Sequence, residues 1–507
     1  MEDLHNWEAH ISTDSKSALV KVAKRLPSIW RSRREAKTLA PRLPRYHGSV
    51  AAPSSAMLYD WIEALCATPH RRPGTAEGHR GEQWIAEQFR EFGLEQVTLD
   101  PVPITKWTAR NWSLRVDGEW VPSFFALNTG FTGREGVTGE LVYVGRGRPR
   151  DFEGLEVAGK IVVADVHFPL LPTGLLMRGV GAAYCLSDPG GAVKWSSRQV
   201  LSFVRQNFMG GSPDADRAPV DDVYWQSQRR GAQGVCLILS DQPSNANTHY
   251  GPYDGIMKPM PALWIGKRDG KRLRRLARAH RQATLTLEGG SEPGVMHNVW
   301  GVLPGQSDEV VLVTSHHDAP FQGAIEDGAG VAQVLAQAWA WSHVPAERRP
   351  RTLVFVVDSG HFYGSAGAHV WAREHADVMA RTRVLLTLEH LGGFEVRERG
   401  DRYESTGKPA LTVMFTTPAP ELVAAVTRAL TEHPPPATAA IPADFFGPTP
   451  TSDAMGYVKE AGVPVVSWIG CPYYLLDSED TLDKVDRAAL SPICETATEL
   501  VKTFMVM

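Results

Sequence analysis

The sequence lacks most of what would tie it to a membrane, a polyanion or an oxidising compartment. Its longest apolar stretch, HFPLLPTGLLMRGVGAAYCL, is interrupted by two prolines, three glycines and Arg178, short of the roughly 20 predominantly apolar residues a bilayer span needs. The N-terminal MEDLHNWEAHISTDSKSALVKVAKRLPSIW has no basic start followed by an unbroken apolar core, so no secretory signal is expected. The five cysteines (Cys66, Cys185, Cys236, Cys471 and Cys494) are far apart, without CxxC spacing, and several lie in apolar runs such as GVCLILS. That pattern excludes a disulfide framework and a zinc knuckle and reads as buried thiols of a cytoplasmic protein. A net charge of −4, with Lys and Arg scattered along the chain, leaves no electrostatic footprint for nucleic acid or anionic lipid.

What is present is ordinary globular composition, 43% apolar and 22% charged, with no compositional sign of disorder. At 507 residues the chain exceeds what one core usually supports, so two domains, or one domain with a large insertion, are expected. Residues 1–56, rich in Arg, Lys and Ala and closing in GSVAAPSSA, read as a helical extension and linker. From residue 57 two amphipathic helices surround a Pro/Gly turn. Trp84, Ile85, Phe89 and Phe92 recur at helical spacing and are assigned to the core.

Residues 130–292 switch to short β-runs joined by glycines (GELVYVG, GKIVVADV, GAQGVCLILS, MPALWIG) and are predicted to form an inserted β-rich module. Within it, the aromatic-rich section from Pro169 to Arg230 could project as a lid or dimer arm, or be a surface excursion without a catalytic role. Residues 57–129 and 293–507 then form one domain. After Met296, continuously apolar strands alternate with helices, predicting an α/β fold with a mostly parallel, mixed sheet flanked by helices on both faces.

In such sheets ligands bind beyond the carboxyl ends of the strands, and polar residues collect there. His316 and Asp318 follow EVVLVTS, His361 follows RTLVFVVDSG, Glu389 and His390 close RVLLTLEH, and Glu326 sits in the loop before GAGVAQVLAQAWAWS. Imidazole and carboxylates from separate strand ends suit a divalent ion such as zinc. Asp318 can accept a hydrogen bond from the imidazole nitrogen of His316 that is not on the metal. His317 and His390 neighbour proposed ligands and, by strand alternation, point away from them, as residues that support the ligands or belong to the core. Asp453, in PTSDAMG, lies near the site or caps a helix. Tyr473 and Tyr474 line the pocket or belong to the core.

At HNVWGVLPGQSDEVVLVTSHHD, GAIEDGAGVAQVLAQA, TSDAMGYVKEAGVPVVSWIG and DSEDTLDKVDRAAL the chain resembles the zinc-dependent exopeptidases of metallopeptidase family 28. The resemblance extends from Leu58 to Val501, LCATPHRRPGTAEG included, and the inserted module resembles a protease-associated domain. It implies a metal site in which His316 is the first ligand, Glu326 replaces the bridging Asp, Asp327 flanks it, and Glu389 replaces the later Asp. The family's Glu-Glu pair falls on His361 and Phe362 and its final His on Leu476, so a second metal loses two of its ligands. His361 is left as ligand or as general base.

The expected function is therefore metal-dependent hydrolysis of a peptide or other amide bond, with a non-standard site holding one divalent metal, zinc being the best fit. The alternatives are a single-metal amidohydrolase, cyclase or acyltransferase acting on a small molecule, and a non-catalytic binding protein on a peptidase scaffold. The expected partner is a peptide or small amide, with no nucleic acid and no membrane; homo-oligomerisation is left open.

Overall fold

The computed structural model of the protein describes residues 15–168, 170–200, 222–242 and 245–507. Much of the expected lid or arm, at 169 and 201–221, lies outside them.

The apolar runs after Met296 become the centre of a sheet. Strands Gln282–Leu303, Thr352–Asp358, Val310–His316, Thr382–Glu389, Val465–Gly470, Thr412–Thr416 and Thr438–Pro442 lie side by side in that order. Val310–His316 is parallel to both neighbours, and Thr382–Glu389 is parallel to Val465–Gly470. Antiparallel pairs flank this parallel centre. Val310–His316 is buried at every position, as expected of a strand covered on both faces. Helix Ala329–Ser342 is buried on almost every side, which its run of Ala, Val and Leu permits because no charged residue interrupts it.

A 22-residue strand, Glu95–Val116, pairs antiparallel with the equally long Gln282–Leu303, from Glu95 against Val302 to Val116 against Ala283. One end of this ribbon belongs to the main sheet. At the other, Gln282–Leu285 pairs with Val137–Tyr143, which leads into a second group of strands at Ile161–Val166, Gly234–Leu239 and Ala262–Ile265. Those strands form from the glycine-punctuated β-runs of the sequence. They enclose a separate core that draws in Trp107, Leu114, Val116 and Phe124 to Leu127, so this module starts before residue 130. The ribbon carries residues on either side of that boundary into it.

Helix Ser15–Leu39 buries Ile29 and Ala36 in the main core. Ion pairs from Arg25 to Asp444 (2.8 Å) and from Arg45 to Glu432 tie the N-terminal segment to the body, so this stretch packs down instead of extending as a free linker. In helix Ala76–Glu91 the Thr75 hydroxyl accepts the Gly78 N–H at 3.1 Å, and Ile85 and Phe89 are buried. Among the described residues no helix is long and apolar enough to cross a membrane. All five cysteines are free.

Candidate metal centre

The residues singled out in the sequence converge where the parallel strands end. Adjacent strands bring His316 level with Asp358, and the loops that follow carry Glu326, His361 and Asp453 inward. His316 and Glu326 are 0% exposed and His361 8%. One donor atom from each of His316, Glu326 and His361 lies within 4.8 Å of the others. The His316 and His361 rings stack at 4.3 Å with 9° between planes. Their Nε2 atoms are 3.7 and 3.6 Å from Glu326 Oε1.

His390 departs from expectation. Strand alternation aims it away from the site, but the strand ends at Glu389 and His390 takes φ 55°, which breaks the alternation and swings its ring inward. His390 Nε2 lies 3.1 Å from Glu326 Oε2 and 3.0 Å from His316 Nε2. Glu389, grouped with the ligands from the sequence, stands beside the cluster instead. Its Oε1 accepts the Asp453 N–H at 3.2 Å and its Oε2 has no partner.

The outer nitrogens of the three imidazoles fix their orientation. His361 Nδ1 donates to Asp453 Oδ1 at 3.0 Å, and His390 Nδ1 donates to the Gly470 carbonyl at 3.2 Å. His316 Nδ1 faces Asp318, 3.2 Å from its carbonyl and 3.5 Å from Oδ1. With Nδ1 carrying the hydrogen, each neutral ring turns an Nε2 lone pair inward. Two such lone pairs at 3.0 Å repel unless something positive lies between them. Neither Glu326 oxygen accepts a well-directed hydrogen bond although both are buried, and buried polar atoms rarely go unpaired. The donors fall into two overlapping sets that share His316, one with Glu326 and His361 and one with Asp327 and His390, and imidazole with carboxylate is a donor combination for a zinc-type divalent ion. The residues present therefore fit such an ion.

The field of the site also favours positive charge. Burial and neighbouring His361 oppose charge on His316, but the carboxylates of Asp318, Asp327 and Asp453 outweigh them and push its pKa up to about 9. Burial likewise opposes charge on His361, yet Asp453 and Glu326 raise it well above the usual histidine range. Burial alone would raise Glu326, but His390, His361 and His316 hold it below the ordinary carboxylate range. Glu389 is pushed up to about 8 by burial and by the charge of Asp453.

The remaining candidates hold the donors in place. The Asp318 carboxylate accepts the backbone N–H groups of Gly360 (3.1 Å), His361 (3.3 Å) and Phe362 (3.4 Å), fixing the loop that presents His361. Asp327 is occupied by Ser315 Oγ and by the N–H groups of Gly330 (3.1 Å) and His390 (2.7 Å). A Cβ at position 330 would stand 2.3 and 2.4 Å from the Asp327 oxygens, so only glycine admits this contact. The Asp453 side chain caps no helix N–H; it bonds His361 and Ser365 Oγ (2.5 Å). His317 points away, its Nε2 donating to the His297 carbonyl at 2.9 Å. Tyr474 is buried, its hydroxyl donating to the Phe394 carbonyl at 3.0 Å. Tyr473 is half-buried and packs against both cores.

Two organising residues escape a reading of the sequence. Arg71, fully buried, donates to the carbonyls of Leu65, His317, Gln322, Gly323 and Glu326 at 2.7–3.3 Å. Asp480 accepts the N–H groups of Ile325 (3.0 Å) and Glu326 (2.8 Å), and burial pushes its pKa up to about 7. Nothing in HRRPG distinguishes Arg71 from its neighbour Arg72, and SEDT offers several acidic and hydroxyl groups with no local pattern to choose among them.

The family model described as Peptidase family M28 matches residues 298–501, which include every donor of the cluster. BSAP, a zinc aminopeptidase from Bacillus subtilis, has a similar fold: TM-score 0.65 at 17% identity, over 89% of this chain and 95% of that one. An aminopeptidase from Aneurinibacillus sp. strain AM-1 superposes with TM-score 0.61 at 18% identity, covering 88% and 93% of the two chains. A peptidase M28 precursor from Shewanella amazonensis SB2B gives 0.60 at 19%, covering 94% and 96%. At these identities the likeness is one of fold. Among curated proteins none matches this chain.

Proposed function

We propose, from the match of residues 298–501 to the model of peptidase family M28 and the geometry of their buried cluster, that the chain is a metal-dependent hydrolase of a peptide or other amide bond working with one divalent ion. His316, Glu326 and His361 hold the ion and His390 completes the donor set. The observation that carries this reading is the convergence of three Nε2 atoms on a carboxylate whose buried oxygens accept no well-directed hydrogen bond.

A bound ion of this kind supplies Lewis acidity, polarising a carbonyl oxygen and making water easier to deprotonate. The chain's own residues do the rest. Asp453 and Asp318 hold the His361 and His316 rings with their Nε2 atoms inward, so His361 serves as a ligand in preference to a free base. Arg71 and Asp480 fix the backbone of the Glu326 loop. Glu389, with one unpartnered oxygen beside Asp453, is the carboxylate placed to hold a proton during turnover.

A single ion is favoured by a second observation. Phe362 and Leu476, where the family's second ion would find ligands, are 0% and 5% exposed and belong to the core of the β-rich module. The Phe362 ring meets Tyr250 edge to face at 5.1 Å, and the Leu476 carbonyl accepts the Tyr250 N–H at 2.9 Å. A small-molecule amidohydrolase working with one ion is the second reading that this packing supports.

The test is elemental analysis of protein purified without chelators, followed by amide hydrolysis across a panel of aminoacyl, dipeptidyl and non-peptide amides. The expected result is about one ion per chain fewer in His316→Ala and in His361→Ala than in the wild type, with loss of turnover in both. No ion after reloading and no turnover on any amide would leave a binding protein on a peptidase scaffold.

A further inference from the structure

A second group of metal-type donors lies outside this centre. Helix Ala76–Glu91 places His79 and Glu82 one turn apart on the same face, as i, i+3 spacing requires, and the Gln282–Leu303 strand brings His297 against them. His79 Nδ1 and His297 Nδ1 each lie 2.7 Å from the same Glu82 oxygen, Oε2. The other oxygen, Oε1, accepts the His297 backbone N–H at 3.1 Å, which locks the carboxylate in place. The two rings meet edge to face at 5.3 Å.

Charge makes this arrangement unusual. The Glu82 side chain is 1% exposed, and its ion-pair partners among the described residues are these two histidines, with no Lys or Arg. Neutral imidazoles can donate hydrogen bonds to Glu82 but leave its charge uncompensated, and a buried carboxylate normally has a cationic partner. We propose that His79, Glu82 and His297 form a second divalent-cation site, of the zinc, cobalt or nickel class, separate from the centre at His316. Two imidazoles and one carboxylate are the ligand types such ions take with a remaining position left to water. His79 is 41% exposed, so that position opens to solvent.

The fit needs only a small movement. Ligand atoms around a tetrahedral ion with bonds of 2.0–2.1 Å stand about 3.3 Å apart, so the 2.7 Å contacts must widen by about half an ångström. The His79 and His297 side chains, 41% and 26% exposed, can each supply that by a small rotation of the ring. The ion would pin the helix to the long ribbon. It would also sit one hydrogen bond from the main centre, because the His297 carbonyl accepts from His317, the residue after His316.

The test counts Zn2+ bound by chelator-stripped protein, with Zn2+ alone as the probe, in the wild type and in His79→Ala, His316→Ala and the double variant. His79→Ala is expected to bind one equivalent fewer than the wild type, and the double variant one fewer than His316→Ala, with Glu82→Gln weakening the site roughly tenfold or more. Zn2+ should also raise the melting temperature of His316→Ala but not that of the double variant. Equal stoichiometry with and without His79 in both backgrounds overturns the proposal. Because the two backgrounds are counted separately, loss of the His316 centre and loss of this site give different totals.

Discussion

Replacing Asp453 by Asn tests the orientation argument at its shortest contact. Asp453 is 2% exposed and its Oδ1 accepts from His361 Nδ1 at 3.0 Å. An amide of the same shape either accepts that hydrogen bond more weakly or turns its NH2 toward the ring, which drives the hydrogen onto Nε2 and blocks the lone pair that faces Glu326. An ion beyond Nε2 would stand about 7 Å from the carboxylate. At an effective dielectric of about 20, a double positive charge there and a unit negative charge attract by up to about 5 kcal/mol. Much of that is offset by desolvation, and loss of an outer carboxylate from a histidine ligand ordinarily costs ten- to a hundredfold in metal affinity, about 1.4–2.7 kcal/mol. Asp453→Asn should therefore bind Zn2+ ten- to a hundredfold more weakly in a chelator-competition titration, with the far-ultraviolet spectrum unchanged. An affinity within twofold of the wild type in a folded variant would refute the assignment of His361 as a ligand oriented by Asp453.

Other outcomes follow from the same contacts. Arg71→Met removes the donor to five carbonyls around the Glu326 loop and should cost about 3–5 kcal/mol in denaturant unfolding, the range for buried charged networks; a loss under 1 kcal/mol would show that the loop holds itself. Burial depresses His249 to about 4. The unfolded chain, with an ordinary imidazole, therefore takes up its proton first, and stability present above about pH 6.5 is lost as pH falls toward 4, by up to about 3 kcal/mol. His249→Leu should flatten that part of the stability profile in urea melts at pH 7 and pH 4.5, and an unchanged difference between the two would count against it. Removing bound ions with a chelator should lower the melting temperature, since an ion present at about 100 times its Kd stabilises by about 2.7 kcal/mol, and added Zn2+ should restore it. Phe362→Ala should destabilise by about 3–5 kcal/mol as a core cavity; a near-neutral effect in thermal melts would mean the ring is not a packing element of the module.

The strands and their order of use were legible because each is a continuous apolar run bounded by turn residues, and strand ends are where an α/β sheet presents its ligands. That rule points to His316 and His361, whereas Glu326, in the loop before Ala329–Ser342, is singled out as a ligand by the family resemblance. His390 could not be picked, because the alternation that assigns faces holds only while the residue stays in the strand, and a left-handed backbone one position after Glu389 reverses the answer. Glu389 stands at a strand end as expected, with one carboxylate oxygen drawn to the Asp453 N–H, a contact 64 residues away that no local pattern signals. The boundary of the β-rich module was read at a change of composition, whereas the core is organised by a ribbon whose strands, Glu95–Val116 and Gln282–Leu303, run through that change.

The division between the two cores bears directly on the chemistry. The main core surrounds the sheet that supplies His316 and Glu389, while Phe362 and Leu476 leave it to join the aromatic cluster around Tyr250 and Trp264. Residue 362 directly follows His361, so the same loop gives one side chain to the donor cluster and the next to the module. Tyr253, from the module, lies on the outer face of the His361 ring at 5.0 Å and 27°, continuing the stack that begins with His316. The module thus does more than sit beside the catalytic sheet. It packs Phe362 and Leu476 into its own apolar core, and its Tyr253 covers one side of the His361 imidazole. Phe362 and Leu476 are therefore packing contacts of the module, and Phe362 anchors the loop that carries His361. Placing an acidic residue at 362 or a histidine at 476 would bury a polar group in that core, at a cost in stability unless it found a partner there.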